Sequence, residues 1–528
     1  MLDLLIRGGH VHDGERFLGQ LDIGLRGETI QAVGRLEVEA ACELDARGML
    51  VCPGFIDAHS HADLTLPGHP ACTNLVAQGI TTVVAGNCGL SPAPCGEAWP
   101  ELPTRLGRLA GLDEGYPRCR SFGQWLEYLD QLGIGVNVAP LVGLGTIRGA
   151  VLGPTDTAPA SASAVKRMLW LLDEALEAGA FGASAGLDYV PGRYAGPDEL
   201  AALLRGVARR RGIFACHLRH EGDGVRAALE EVLNLAGETG VALQVSHLKA
   251  VGRSNWGTVP RLLERIERAR QELDVACDAY PYRFSAVLIV RDLLPPWCAD
   301  ATPNDLARLA RDPEQRRRLL EDLDRGRPGW GSPLGDFRWD YAVVSAPGLK
   351  EVRGRSLAEL AARADRHPLD VLVELYVKCP DVAFSLTMSE TDVRAVMAHQ
   401  LCLLGSDSVS QDRPGGGRRP SHPRGWGACP RFLGRYVRRM KVAGWEEAIS
   451  RMTARVADRF GIARRGRLRP GACADLVVLD PQQVDHDGGL STPRRPPRGI
   501  RWVLVNGRLV VDEGQPTGVR AGRVLRRV

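Results

Sequence analysis

Apolar positions along the chain change their spacing twice. Through residue 50 they alternate, or sit in short runs broken by glycine, as in LLIRGGHVHDG, LDIGLRGETIQAVG and GMLVCPGFIDAHSHAD. That pattern predicts short strands joined by turns. From about Asn74 short apolar runs follow, ITTVVAGNCG and GVNVAPLVG, and then alternate with stretches of helical period. The succession is SASAVKRMLWLLDEALEAGA, GASAGLDY, PDELAALLRGVARRR, IFACHLRH, GVRAALEEVLNLAGETG, VALQVSHLKA, TVPRLLERIERARQEL and VACDAYPY. Repeated strand and helix units build a parallel sheet, and this many of them predict a (β/α) barrel. After the helix WEEAISRMTARVADRFG the strand texture returns in ADLVVLDP and IRWVLVNGRLVVDEG. Both ends are therefore expected to meet in one small β domain beside the barrel.

Two interruptions stand out. Between about residues 283 and 335 the alternation gives way to PPW, the charged helix PEQRRRLLEDLDRG and PGWGSPLG, which reads as an insertion and a candidate lid. Alternation then resumes at DYAVVSAP, SLAELAARA and PLDVLVELYVK and reaches CLLGSDSVS. The long loop QDRPGGGRRPSHPRGWGACP follows, of a length that marks a functional or mobile segment. The expected division is residues 1–52 and 462–528 in the β domain, and residues 53–461 in the barrel.

Composition adds boundaries. With 528 residues, 44% apolar and 25% charged, the chain can bury a large core, which excludes disordered and fibrous classes. A net charge of +4 gives no reason to expect nucleic acid or an anionic membrane as a partner. Thirteen cysteines, an odd number with no CxxC pair, suit a reducing compartment better than a disulfide framework. The opening MLDLLIRGGHVHDG lacks a basic stretch followed by a sustained apolar one, and no run approaches the ~18 apolar residues of a membrane span, so a cytoplasmic location is expected. Only five of the 67 basic residues are lysines, so each lysine is informative.

The candidate chemistry sits where apolar runs end. His59 and His61, in GFIDAHSHAD, are two residues apart and can reach one metal ion, although an HxH by itself suits a polar turn equally well. His217 in IFACHLRH and His247 in VALQVSHLKA occupy equivalent places, and in barrels such strand ends form the active-site face. Four histidines so placed are hard to credit to packing. His220, further into its loop, reads as structural or supporting. Cys88 in VVAGNCGLSP competes with the reading of a small buried hydrophobe, but a thiolate between glycine-rich turns can approach a metal closely. Asp407 in CLLGSDSVS alone would suit an Asx turn; beside a metal site it can take a proton from water and deliver one to a leaving group.

Together PGFIDAHSHAD, VVAGNCGLSPAP, GLDYVPGRYA, HLRHEGD, VSHLKAVGRSNWG, DAYPY, GSDS and HPRGWGACPRFLGRYVRR resemble the N-acyl-D-amino-acid deacylases (D-aminoacylases) of the amidohydrolase superfamily. The resemblance extends through RGRLRPGACADLVVLDP and VNGRLVVDEG to the end of the chain. It implies an α/β fold, a (β/α)8 TIM-type barrel with a small β-sandwich domain formed by both termini. It also implies zinc, in one tight site and a second weaker one. His59 and His61 match first-strand ligands, Cys88 a metal-bridging thiolate, His217 and His247 ligands of the tight zinc, and Asp407 the catalytic carboxylate. Lys249 and Arg424 match groups that hold the substrate carboxylate, and Tyr280 and Tyr189 match tyrosines near that carboxylate and the scissile carbonyl. Cys216 and His220 beside HLR, Asp188 beside Tyr189 and the segment DRPGGGRRP depart from the familiar pattern and bear on substrate preference; Arg413, Arg418 and Arg419 read as a solvated loop. The expected reaction is metal-assisted hydrolysis of a small N-acyl-D-amino acid to a carboxylate and a free D-amino acid. Its rivals are a cyclic-amide hydrolase of the dihydropyrimidinase or dihydroorotase kind, and a non-catalytic scaffold of the same fold.

Overall fold

A computed structural model describes residues 1–112, 115–326, 332, 334, 339–345, 349–412 and 421–527. Eight parallel strands form its centre: Phe55–Asp57, Ile80–Ala85, Asn137–Pro140 continued by Val142–Gly143, Gly182–Gly186, Ile213–His217, Ala242–Val245, Val275–Ala279 and Cys402–Leu404. Neighbours pair in that order. The last returns to the first, where Ala58 N donates to Leu404 O at 3.1 Å and Ser60 bridges Ser408 in parallel, so the strands close into the expected barrel. Asp57 reinforces the closure by accepting from Ser406 N at 2.7 Å and Ser406 Oγ at 2.5 Å. Burial on both faces explains why these strands read as apolar runs rather than clean alternation.

The outer helices follow the spacing seen in sequence. Ala162–Glu177 starts where the Ser161 side chain accepts from Ala164 N, and it buries Met168, Leu171, Leu172 and Ala175 against the barrel. Val225–Thr239 ends at Gly240, whose φ of 70° supplies the left-handed turn that stops a helix. Each large apolar side chain so buried contributes about 1.5–3 kcal/mol.

Both chain ends share one nine-stranded sheet. Leu50–Pro53 pairs antiparallel with Leu476–Leu479, which joins the N-terminal strands to Ile500–Val505, Arg508–Asp512 and Gln515–Pro516. The sheet folds over its own core of Ile6, Val11, Ile23, Ile30, Leu476, Val478 and Trp502, as a sandwich does. A buried polar knot fastens it to the barrel: Arg465 pairs with Asp475 and donates to Asn506 Oδ1, and Asn506 Nδ2 donates to Asn137 Oδ1 at 2.9 Å in the third barrel strand.

The insertion reaches further than the sequence suggested. Phe284–Ile289, Val343–Val344 and Ala383–Thr387 form a separate antiparallel sheet. Leu357–Ala364 and Pro368–Lys378 pack with it around Leu319, Leu357, Leu372 and Phe384. The segment taken as resumed barrel alternation therefore belongs to the insertion, because its strands pair antiparallel with one another and not with the barrel. The loop residues Arg413, Arg418 and Arg419 lie outside the described residues.

Candidate active site

Because all eight strands run the same way, residues just past their C-terminal ends gather at one mouth. His59 and His61 follow the first strand, Cys88 the second, Tyr189 the fourth, His247 and Lys249 the sixth, Tyr280 the seventh and Asp407 the eighth, while His217 closes the fifth. Three of these residues bend the chain sharply: Cys88, His247 and Asp407 have φ of 55°, 33° and 49°, left-handed values costly for non-glycine residues and concentrated where function over-determines the backbone. Gly405 makes the close approach possible, since a Cβ there would lie 2.6 Å from the His59 Cβ.

Cys88 is the hub. Its Sγ lies 3.4 Å from His59 Nε2, 3.4 Å from His247 Nε2 and 3.9 Å from His217 Nδ1, and the last two nitrogens are 2.9 Å apart. His61 Nε2 is 3.2 Å from Asp407 Oδ1, which is 3.8 Å from His59 Nε2. Ligands sharing a tetrahedral ion with bonds of 2.0–2.3 Å sit roughly 3.3–3.8 Å apart. The cluster is close to that spacing, and its imidazole and thiolate donors are those zinc selects. His59, Cys88 and His247 form one such trio, and His59, His61 and Asp407 a second.

The electrostatics agree. Burial opposes ionisation of Cys88, yet His59, His247 and His61 outweigh it and hold the thiol well below its ordinary value. Burial likewise disfavours charge on His59, but Cys88 and Asp278 raise its pKa well above the ordinary value. A thiolate ringed by imidazoles gathers positive charge at its centre, as protons or as a cation. Asp407 is buried too; the Arg424 guanidinium, then His61 and His59, overcome burial and keep its carboxyl well below the carboxylate range.

Beside the cluster lie the residues matched to the substrate carboxylate. Arg424, the first residue of the helix Arg424–Arg431, donates through Nη1 to Asp407 Oδ2 at 2.6 Å. Its guanidinium carbon lies 4.5 Å from the centre of the Tyr280 ring, and Lys249 Nζ lies 6.0 Å from the same centre. The Tyr280 hydroxyl is buried and has no hydrogen-bond partner among the described residues. Tyr189, 39% exposed, donates to Cys88 O at 3.1 Å and sets its ring edge against His217.

Sequence reasoning missed three supporting acids. Glu221 Oε1 receives Lys249 Nζ at 2.5 Å and lies 3.1 Å from His247 Nδ1. It is also 3.7 Å from His217 Nε2. Asp278 Oδ1 accepts from His247 N at 2.8 Å and lies 3.1 Å from His59 Nδ1. Asp57 is the barrel clasp. Asp57 and Asp278 were detectable as charged residues inside apolar strands, and Glu221 as the residue one helical turn after His217. His220 is exposed, and Cys216 is buried with its sulfur toward the His217 carbonyl.

Comparison with known proteins decides the family. Over 532 residues the chain is 37% identical to the N-acyl-D-glutamate deacylase of Alcaligenes xylosoxydans xylosoxydans, covering 100% of this chain and 97% of that protein. It is 36% identical to the D-aminoacylase of the same organism over 99% of this chain and 98% of that one. The chain belongs to the N-acyl-D-amino-acid deacylase family. Residues 386–511 also match the profile of the Amidohydrolase family. Among solved structures of deacylases, that of N-acyl-D-glutamate deacylase from Bordetella bronchiseptica superposes with a TM-score of 0.79 at 36% identity, covering 99% of each chain. It was solved with zinc and a phosphonate inhibitor that mimics the reaction's tetrahedral intermediate. The L-hydantoinase of Arthrobacter aurescens matches at 18% identity and a TM-score of 0.55, a likeness of fold alone. Among the described residues no helix is long and apolar enough to cross a membrane.

Proposed function

We propose that this deacylase-family chain hydrolyses N-acyl-D-amino acids to a carboxylate and a free D-amino acid, using zinc. The observation that carries the reading is the pair of cations, Arg424 and Lys249, on the ring of Tyr280, whose buried hydroxyl lacks a partner among the described residues. Two cations and a spare hydroxyl make a carboxylate-binding site, set beside a thiolate and imidazole cluster.

Cys88, His217 and His247 would hold the tight zinc, with His59 and His61 offering a weaker second site. Bound zinc supplies a Lewis acid for the amide carbonyl and lowers the pKa of water. In the free protein both cations are held by acids, Arg424 by Asp407 and Lys249 by Glu221. A substrate carboxylate competes for both. As it draws Arg424 away, Asp407 becomes free to take a proton from the attacking water and return it to the departing nitrogen. Arg424 pairs with the carboxylate through its planar fork, Lys249 as a point charge, and Tyr280 through its hydroxyl. Anchoring the carboxylate fixes which face of the α-carbon carries the acyl amide toward the cluster, so selection of the D enantiomer is a consequence of placement. Tyr189 stands at the rim of the cluster, where the scissile carbonyl would arrive. We also place the reaction in the cytoplasm, since all thirteen cysteines are unpaired.

The test is Asp407→Asn, assayed on N-acetyl-D- and N-acetyl-L-amino acids and on hydantoins. Retained zinc with turnover of the D substrates lowered by about 100- to 10,000-fold is expected. Near-normal turnover, or ring opening of hydantoins in place of deacylation by the unaltered protein, would overturn the reading.

A further inference from the structure

The barrel interior carries a polar column that ends on a histidine of the metal cluster. Arg459, on the helix Ala454–Phe460, reaches in from the side of the barrel opposite the active site, where it pairs with Asp274 immediately before the seventh strand. Its Nε donates to Gln244 Oε1 at 3.2 Å, and its Nη2 donates to Leu243 O at 2.5 Å. Gln244 is fully buried in the sixth strand, where branched apolar residues normally fill such a barrel. Its Nε2 donates to Asp278 Oδ2 at 2.9 Å. Asp278 Oδ1 then accepts from His247 N at 2.8 Å and is 3.1 Å from the buried His59 Nδ1, close but out of hydrogen-bond alignment.

The direction of every link follows from one fact of chemistry: a guanidinium only donates. Facing Arg459, the Gln244 amide must present its oxygen, which turns its NH2 toward Asp278. With one carboxylate oxygen taken by that NH2 and the other receiving the His247 amide, Asp278 offers only acceptor capacity to His59. The His59 ring nitrogen beside it is thereby selected to carry the proton, and the lone pair is left on Nε2, the atom 3.4 Å from Cys88 Sγ. A flipped Gln244 amide would instead place oxygen against oxygen at Asp278.

We infer that Gln244 is a positioning residue which, oriented by Arg459 and acting through Asp278, fixes the tautomer and ring setting in which His59 can bind metal. The inference rests on His59 being a ligand, as proposed above. Partners of this kind, one bond removed from the ligand, typically change metal affinity by 10- to 100-fold.

The experiment loads the tight site of the full-length chain with one equivalent of zinc, then measures cobalt(II) affinity for the second, weaker site by chelator competition, and the cobalt absorption spectrum, in the chain carrying Gln244→Leu, Gln244→Glu, Asp274→Asn or His59→Ala. The melting temperature of each chelated protein is recorded alongside. Asp274→Asn disturbs the outer anchor of Arg459 without touching Gln244, and serves as the control for a purely structural effect. Both Gln244 variants are expected to weaken cobalt binding by about 10- to 100-fold and to alter its spectrum, with Asp274→Asn leaving both as they were. Wild-type affinity and spectrum in the Gln244 variants would overturn the inference while leaving the deacylase reading intact. So would a loss of affinity that follows melting temperature equally in Asp274→Asn. Wild-type metal binding in His59→Ala would remove the ligand assignment beneath the inference, and the inference with it.

Discussion

Lys249 and Glu221 meet at 2.5 Å with side chains only 9% and 14% exposed, so the pair can be tested by removing each charge separately. With an effective dielectric constant of about 20, their gross attraction is roughly 7 kcal/mol. Much of it offsets the desolvation of both groups, so the measurable quantity is the penalty for leaving one buried charge alone, about 3–5 kcal/mol. Glu221→Gln and Lys249→Met should each destabilise the chelated protein by that order, and the double variant by less than their sum, with a coupling of about 2–3 kcal/mol. Urea unfolding of the four proteins under chelation keeps metal out of the comparison. Burial opposes charge on Glu221, but Lys249, His217 and His247 hold its carboxyl below the ordinary value of 4.5. The contribution from this group should therefore be fully present above pH 4.5 and be lost as pH falls through the depressed folded value. Function should separate the partners: Lys249→Met raises KM through the lost carboxylate contact, whereas Glu221→Gln mainly weakens zinc by replacing the charged acceptor beside His247 Nδ1 with a neutral amide. Additive destabilisation within about 0.5 kcal/mol would refute the idea that Lys249 is stored on Glu221.

Tyr280→Phe should leave the stability of the free protein within about 0.5 kcal/mol, since the hydroxyl has no partner to lose among the described residues, while raising KM several-fold. Initial-rate kinetics beside a melting curve would check this, and a large loss of stability would count against it. Cys88→Ser should lower zinc affinity by at least about 100-fold, read by chelator competition; an unchanged affinity would move the metal away from the hub. His486 is kept neutral by burial, its pKa lowered from 6.5 to about 4, with Nδ1 2.7 Å from the Tyr282 hydroxyl and Nε2 2.9 Å from Arg495 O. Because the unfolded chain takes up this proton first, stability should fall by up to about 3 kcal/mol as pH drops from 6.5 to 4. The fall should flatten in His486→Gln by urea midpoints at pH 7 and 4.5. Asp57 and Asp63, raised by burial to about 6 and about 7, act in the opposite sense in both proteins and cancel in the difference.

The barrel was legible because its strands and helices differ in period over stretches long enough to count. Seven of its eight strand ends also carry a residue whose chemistry is visible by type. The insertion was not legible beyond residue 335: a two-residue strand such as Val343–Val344 reads the same whether it pairs in the barrel or outside it, and only the pairing partner distinguishes the cases. His59, Cys88, His217 and His247 could be named from sequence and do converge. Glu221 and Asp278 stand out in the sequence by type and place, but their role as supports does not, because a carboxylate supporting a ligand is recognised by what it touches, and sequence spacing carries no information on contacts between different strands.

The Asp57–Ser406 clasp joins residues 349 positions apart. Strand one, with His59 and His61 immediately beyond it, therefore lacks its closing neighbour for most of synthesis, and the strand preceding it, Leu50–Pro53, waits longer still for Leu476–Leu479. Contacts this distant in sequence form late. The nascent chain thus carries His59 and His61 long before the pocket around them exists, so their setting beside Cys88 and Asp407 is fixed only once the eighth strand has docked.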